Sequence, residues 1–273
     1  MAAQPTLVVT FKLDAAARAV VVDALAGAAV PVWLTDLDEA ARFAALREAT
    51  AILAHNTGQE LRPGEAASIG AARLIQFVTA GIDFVPLSAL PAGVPVASNG
   101  GAYAEPMAEH GLAMTLAAAK RLVVEQRALE RGAFNQHARN RTLAGGVCGI
   151  LGFGGIGVAV ARLMRALGMR VHAINRRGAG DAAVDWMGTP DQLGALLAAS
   201  DVLMICLPLT HATADLLGAR ELALMKEDAI LVNLARGEIV NEAALFAHLQ
   251  AHPLFFACID AWWEEPIRHG AFR

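Results

Sequence analysis

Three glycines limit most strongly what this chain can become. Gly152, Gly154 and Gly157 form G-x-G-x-x-G after the apolar run Gly146 to Leu151 and before the helix-forming stretch Val158 to Met164. That strand, loop and helix context separates a working phosphate loop from a chance match. A backbone that turns sharply and lets a pyrophosphate approach its amides cannot carry side chains there, and the glycines remove them. A helix starting near Gly155 and Ile156 would then offer its free N–H groups and positive dipole end to the phosphates. The uncharged run Thr142 to Ala161 has the length of a membrane helix, for which roughly 20 apolar residues are needed. Seven of its residues are glycine, clustered as a phosphate loop, and no second span or basic flank follows, so the loop reading is preferred.

Around this loop, short apolar runs alternate with helical stretches, which argues for parallel α/β architecture. Strands are expected at Thr6 to Phe11, Val30 to Leu34, Ala51 to Ala54, Leu74 to Val78 and Val94 to Ala97, with helices at Asp14 to Ala26, Asp38 to Glu48 and Pro63 to Ala71. A single long helical pattern, Glu105 to Gly132, bridges to a second set of strands at Val147 to Leu151, Arg170 to Ile174, Val202 to Leu207, Ile230 to Leu234 and Phe255 to Ile259. Helices at Gly155 to Leu167, Thr189 to Ala198, Ala219 to Met225 and Asn241 to Gln250 fall between them. The length of 273 residues suits two doubly wound parallel-sheet domains, a flavodoxin-like one over 1–98 and a Rossmann one over 99–273. Ligands are expected at the carboxyl ends of the strands.

Composition narrows the partners. The formal charge is 22 minus 26, or −4, with no Lys/Arg-rich block, so neither nucleic acid nor an anionic membrane is an expected partner. No basic segment precedes an apolar stretch at Met1 to Leu13, which makes a cytoplasmic location the expectation. Cys148, Cys206 and Cys258 sit in apolar runs without metal-ligand spacing and read as reduced thiols; no metal is expected.

The second strand of a Rossmann unit normally closes on an acidic residue that binds the ribose 2′-hydroxyl of NAD. Here Asn175-Arg176-Arg177 stands eighteen residues after Gly157. A neutral side chain followed by two guanidinium groups favours a 2′-phosphate, hence NADP over NAD. After the next strand, Leu207 and Thr213 are placed to brush the cofactor, Thr213 also as cap of a following helix; His211 reads as an exposed loop residue. Farther on, Ala235-Arg236-Gly237 sets a guanidinium fork just after a buried strand, where it can clamp a substrate carboxylate and polarise its carbonyl. Asp260 and Glu265 close the last strand.

In Gly152 to Gly157, Asn233 to Gly237 and Asp260 to Pro266, the chain resembles the D-isomer-specific 2-hydroxyacid dehydrogenases, the group containing glyoxylate and hydroxypyruvate reductases. The resemblance runs from about Leu74 onward. It implies that Arg236 binds the 2-keto acid as hydride arrives from the nicotinamide, that Glu265 orients a catalytic histidine, and that Asp260 bonds the nicotinamide carboxamide. Ala235 would line the cofactor. The amides of Ala80 and Gly81 would hold the substrate carboxylate, Asn99 would mark the interdomain crossing, and the helix beginning near Glu105 would form a homodimer interface. His110 lies in that helix and reads as a packing histidine.

One departure stands out. The family's general-acid histidine lies well beyond the Glu-Pro pair, and Arg273 is reached before any such segment; His269 comes too early. A truncated chain is therefore the expectation, and its reductase activity is expected to be weak without that donor. The alternatives are a dimeric dehydrogenase-like protein that senses NAD(P)H, or another Rossmann enzyme of the amino-acid or formate type.

Overall fold

The computed structural model describes residues 4–180 and 184–265, and the chain divides into two units, Met1–Ala102 and Tyr103–Arg273. The division falls at Ala102/Tyr103 rather than at 98/99.

In the first unit, β1 (Thr6–Val9), α1 (Ala15–Leu25), β2 (Val30–Trp33), α2 (Glu39–Glu48), β3 (Ala51–Ala54), α3 (Thr57–Glu60), β4 (Ile75–Phe77) and β5 (Val96–Ala97) follow in order. Asp14 and Asp38 start the two longer helices, their carboxylates accepting from the amides of Ala17 and Ala41 at 2.8 and 2.9 Å. The strands are wholly parallel in the order β2-β1-β3-β4-β5, the flavodoxin-like arrangement. Val8, Leu34, Leu46, Ile52, Ile75 and Phe77 make its core.

The helix expected over Pro63 to Ala71 is absent; only a 3₁₀ turn, Ala66–Ser68, forms there. Its neighbour Glu65 is drawn under α2 instead. Arg42 grips the Glu65 carboxylate through Nε at 2.6 Å and Nη2 at 2.7 Å, and also bonds the carbonyls of Leu34 and Glu60. The Arg62 amide donates to the same carboxylate at 2.8 Å. The two ion-pair side chains are 6% and 0% exposed, so each charge depends chiefly on the other.

The second unit comprises α4 (Ala104–Ala119), α5 (Leu122–Glu130), β6 (Val147–Leu151), α6 (Gly155–Ala166), β7 (Arg170–Ile174), β8 (Trp186–Gly188), α7 (Leu193–Ala199), β9 (Val202–Ile205), α8 (Ala219–Leu222), β10 (Ile230–Asn233), α9 (Glu242–Ala251) and β11 (Phe256–Ile259). Its six strands run parallel in the order β11-β10-β9-β6-β7-β8, the Rossmann order with a switch between β6 and β9. Strands buried on both faces read as unbroken apolar runs. In β9, Val202 and Met204 face the core shared with α4 and α6, while Leu203 and Ile205 face the opposite one with α7 and α9.

Two features differ from expectation. The long bridging helix breaks at Arg121, whose φ is 55°, because the returning chain takes over its end: the Arg141 amide donates to the Ala119 carbonyl and Lys120 Nζ donates to the Arg141 carbonyl. The edge strand β8 is only three residues long, too short to show periodicity, and exists through its pairing of Trp186 to Gly188 with β7. At the amino end of the central strands Asp201, just before β9, ties elements together, accepting from the Val147 amide, Arg141 and Lys226.

Removing one partner of the buried Arg42–Glu65 pair should be costly. Glu65→Ala should destabilise the first unit by about 3–5 kcal/mol in urea unfolding, and Arg42→Met with Glu65→Leu together by much less. The Arg42 hydrogen bond outweighs burial and lowers the Glu65 pKa from its ordinary value. The resulting stabilisation is present above the unfolded carboxylate range, about pH 4.3, and is lost as pH falls through the lower folded value. Glu65→Gln should lack this acid component.

Candidate active site of the second unit

At the carboxyl end of β6 the chain turns at Gly152, where φ is +98° and an added Cβ would lie 2.7 Å from the Leu207 nitrogen. The Leu207 backbone thus passes directly against the loop. Gly157 lies against the Gly152 carbonyl, so any side chain there would push α6 off the strand. Gly154 is different: a Cβ there would meet nothing within 4 Å. It precedes α6 with no side-chain cap, leaving the amides around Gly155 and Ile156 at an open, positive helix end. Two glycines are demanded by packing and one stands where a phosphate would come close; these residues fit a dinucleotide.

Beside this loop, Asn175 follows β7 and organises its own turn. Its Nδ2 donates to the Ala179 carbonyl at 2.7 Å and its Oδ1 accepts the Arg177 amide at 2.9 Å. Arg176 and Arg177 are exposed on that turn. Thr213 does not cap a following helix. Its hydroxyl accepts the Thr210 amide at 2.7 Å and donates to the Pro208 carbonyl at 2.8 Å, because residues 211–215 form turns and α8 starts only at Ala219.

Arg236 follows β10 in extended backbone and donates from Nη1 to the Ala235 carbonyl at 2.8 Å. Asn233 holds this stretch from both sides: its Nδ2 donates to the Arg236 carbonyl at 2.8 Å, and its Oδ1 accepts the Ala235 amide at 3.0 Å. Gly237 must be glycine because a Cβ would lie 2.5 Å from the Trp263 nitrogen. That approach brings the turn after β11 against the Arg236 segment. Within it Glu265 accepts the Trp262 amide at 2.9 Å, and Trp263 Nε1 donates to the Val240 carbonyl at 2.8 Å. Pro266 and His269 lie outside the described residues.

His110 corrects an expectation. It is exposed rather than packed, and its Nε2 lies 3.1 Å from Asp260 Oδ1. Spacing in sequence carried no sign of a pair separated by so many residues; only the crossing of α4 over the sheet makes it.

In the first unit, Ala80 and Gly81 follow β4 in half-buried positions, and neither amide donates a backbone hydrogen bond among the described residues. Asn99 is tied to the same loop, its amide donating to the Thr79 carbonyl and its Nδ2 to the Val78 carbonyl. The switch point of this sheet, between β1 and β3, holds residues not singled out from sequence. Glu60 accepts from the Thr10 hydroxyl and from the His55 and Asn56 amides, and the His55 ring lies between Phe11 and Phe84. The buried hydroxyls of Thr57 and Thr79 have no hydrogen-bond partner among the described residues.

The glycine geometry separates two effects. Gly152→Ala should cost more than about 1 kcal/mol of stability through strain and crowding, and abolish dinucleotide binding. Gly154→Ala, whose methyl enters open space, should leave unfolding unchanged and weaken binding alone, as followed by calorimetric titration with NADH and NADPH.

The chain is similar to known proteins. Residues 112–272 match the model of the NAD-binding domain of D-isomer-specific 2-hydroxyacid dehydrogenases. The chain is 35% identical over 207 residues to a glyoxylate reductase of Aeropyrum pernix, covering 71% of this chain and 61% of that protein. It is 30% identical over 176 residues to a hydroxypyruvate reductase of Thermotoga maritima, covering 64% and 56%. The chain therefore spans about three-fifths of the length of these two relatives. Among solved structures, a glycerate dehydrogenase related protein from Thermoplasma acidophilum superposes with a TM-score of 0.68 at 29% identity, covering 96% of this chain and 86% of that one. With the family's nucleotide-binding domain matched over most of the second unit, and a phosphate loop built as that domain requires, this chain belongs to the D-isomer-specific 2-hydroxyacid dehydrogenase family.

Proposed function

We propose that the protein of which this chain is part, or the whole, is an oxidoreductase that reduces a small 2-keto acid of the glyoxylate or hydroxypyruvate kind with a nicotinamide cofactor. The observation that carries this reading is one sheet edge bearing an open Gly154 loop, Arg236 after β10 and Asp260 after β11. Names borne by relatives, glyoxylate reductase and hydroxypyruvate reductase among them, support the substrate class.

The cofactor, when bound, supplies a hydride. Gly152, Gly154, Gly155, Ile156 and Gly157 would hold its pyrophosphate, with Leu207, Thr213 and Ala235 alongside and Asp260 at the nicotinamide carboxamide. Arg236 would bind the substrate carboxylate and favour negative charge developing on the carbonyl oxygen. Ala80 and Gly81 would offer amides to the carboxylate, with Asn99 bracing their loop. Glu265 would act as an orienting carboxylate. NADP is the preferred cofactor on this reading, because Asn175 is committed to its own turn and brings no carboxylate, while Arg176 and Arg177 stand exposed beside it.

A homodimer through the region beginning near Glu105 is part of the proposal. Leu122, Val123, Val124 and Leu129 on α5 are 41–57% exposed, an apolar cluster of the kind that marks an interface.

NADPH oxidation should be seen with glyoxylate or hydroxypyruvate, and tight NADPH binding without turnover of either would overturn the assignment. Arg236→Gln should lower kcat/KM by about 10²–10³-fold. Alanine at Arg176 and Arg177 should weaken NADPH binding by about tenfold while leaving NADH unchanged; equal effects on both cofactors would show that these arginines do not read the phosphate. Sedimentation should give a dimer, and a monomer with Leu122→Glu and Val123→Glu.

A further inference from the structure

The geometry points to His110 as a positioning residue for the nicotinamide end of the cofactor, acting through Asp260. This rests on the reading above, in which Asp260 meets the nicotinamide carboxamide. The physical chain begins one residue away, at Gly111. A Cβ on Gly111 would lie 2.8 Å from Leu234 Cδ1, so its absence lets α4 settle directly onto the end of β10. Ala108, Thr115, Ala118 and Ala119 are buried along the same helix, and Thr115 closes onto the Gly111 carbonyl at 2.7 Å. Cys258 on β11 adds a contact from Sγ to the Met114 carbonyl at 3.6 Å. The helix is thus seated across β10 and β11, and His110 arrives beside the residue that follows β11.

There its Nε2 stands 3.1 Å from Asp260 Oδ1, with side chains 49% and 36% exposed. The Asp260 amide meanwhile donates to the Asn233 carbonyl at 3.0 Å, which fixes the backbone that carries the carboxylate. A carboxylate on a strand end has free χ rotation; a ring nitrogen held against one oxygen removes much of that freedom and leaves the other oxygen to accept. Oδ2 makes no hydrogen bond among the described residues. The carboxamide N–H₂ of nicotinamide is a donor suited to that second oxygen. His110 touches neither cofactor nor substrate on this account; it holds the acceptor in one rotamer before the cofactor comes.

Calorimetric binding to the full chain tests this without relying on turnover. The margin by which NADH binds more tightly than ADP-ribose, which lacks the nicotinamide, isolates the nicotinamide contact, as does that of NADPH over 2′-phospho-ADP-ribose. His110→Leu should shrink that margin by about tenfold, the loss of one close polar contact to the carboxylate, and leave ADP-ribose affinity unchanged. His110→Gln, which keeps an N–H donor, should restore most of it. An unaltered margin in His110→Leu, or equal weakening of ADP-ribose, would overturn the positioning role. Asp260→Ala separates the two layers of inference. If it shrinks the margin while His110→Leu does not, the Asp260 contact stands and the His110 role falls; if neither variant changes the margin, the Asp260 contact falls and takes the His110 role with it.

Discussion

Backbone touching backbone is the constraint on which the second unit depends. Gly152 admits the Leu207 main chain, Gly157 admits the Gly152 carbonyl, and Gly237 admits the peptide between Trp262 and Trp263. Interiors are packed to crystal-like density, so a single methyl at any of these points would have to move a whole segment rather than a side chain. The consequence is local. Three loops at the carboxyl ends of β6, β9 and β10 and the turn after β11 are drawn together at one sheet edge, and polar groups unrelated in sequence become neighbours.

That edge is also where the fold concentrates its polarity. Interiors of β6, β9 and β10 are continuous apolar runs, sealed on both faces by α4 and α6 on one side and by α7 and α9 on the other. Side chains able to bind or orient anything charged are consequently confined to strand ends. Asn233 shows how the transition is made: it is fully buried, yet its amide spends both ends on the Ala235 and Arg236 backbone, so the segment that presents the guanidinium is braced before any ligand binds. The same economy appears in the first unit, where Arg42 and Glu65 satisfy each other beneath α2 while Glu60 gathers the amides of the β3 loop.

Much of this was legible in the residues. Parallel sheets buried on two faces write themselves as apolar runs, so every strand but the short edge strand β8 was located to within a few residues, and the helices expected to begin at Asp14, Asp38 and Asn241 do start there, each capped by that side chain. The segments misread share a physical cause: distant chain overrides local preference. Glu65 is claimed by Arg42 and no helix forms over Pro63 to Ala71; Ala119 is claimed by the returning Arg141 and the bridging helix breaks at Arg121. Thr213 has the chemistry of a cap but lies within turns, and its hydroxyl closes its own loop instead. His110 has the look of a packing residue from its apolar neighbours alone; the helix faces that bury Gly111 and Thr115 leave it exposed at the strand end, against Asp260.

The amino-acid order by itself determined the two parallel α/β units, the dinucleotide loop at Gly152 to Gly157 and the family to which the chain belongs, because each is recorded in contiguous residues whose periodicity or spacing acts over one strand, one turn or one helix. Which side chains meet was decided only by tertiary structure. The pairing of His110 with Asp260, the grip of Arg42 on Glu65 and the passage of Leu207 over Gly152 all join residues far apart along the chain. Their distances are set by how helices seat on sheets, and a linear pattern carries no term for that.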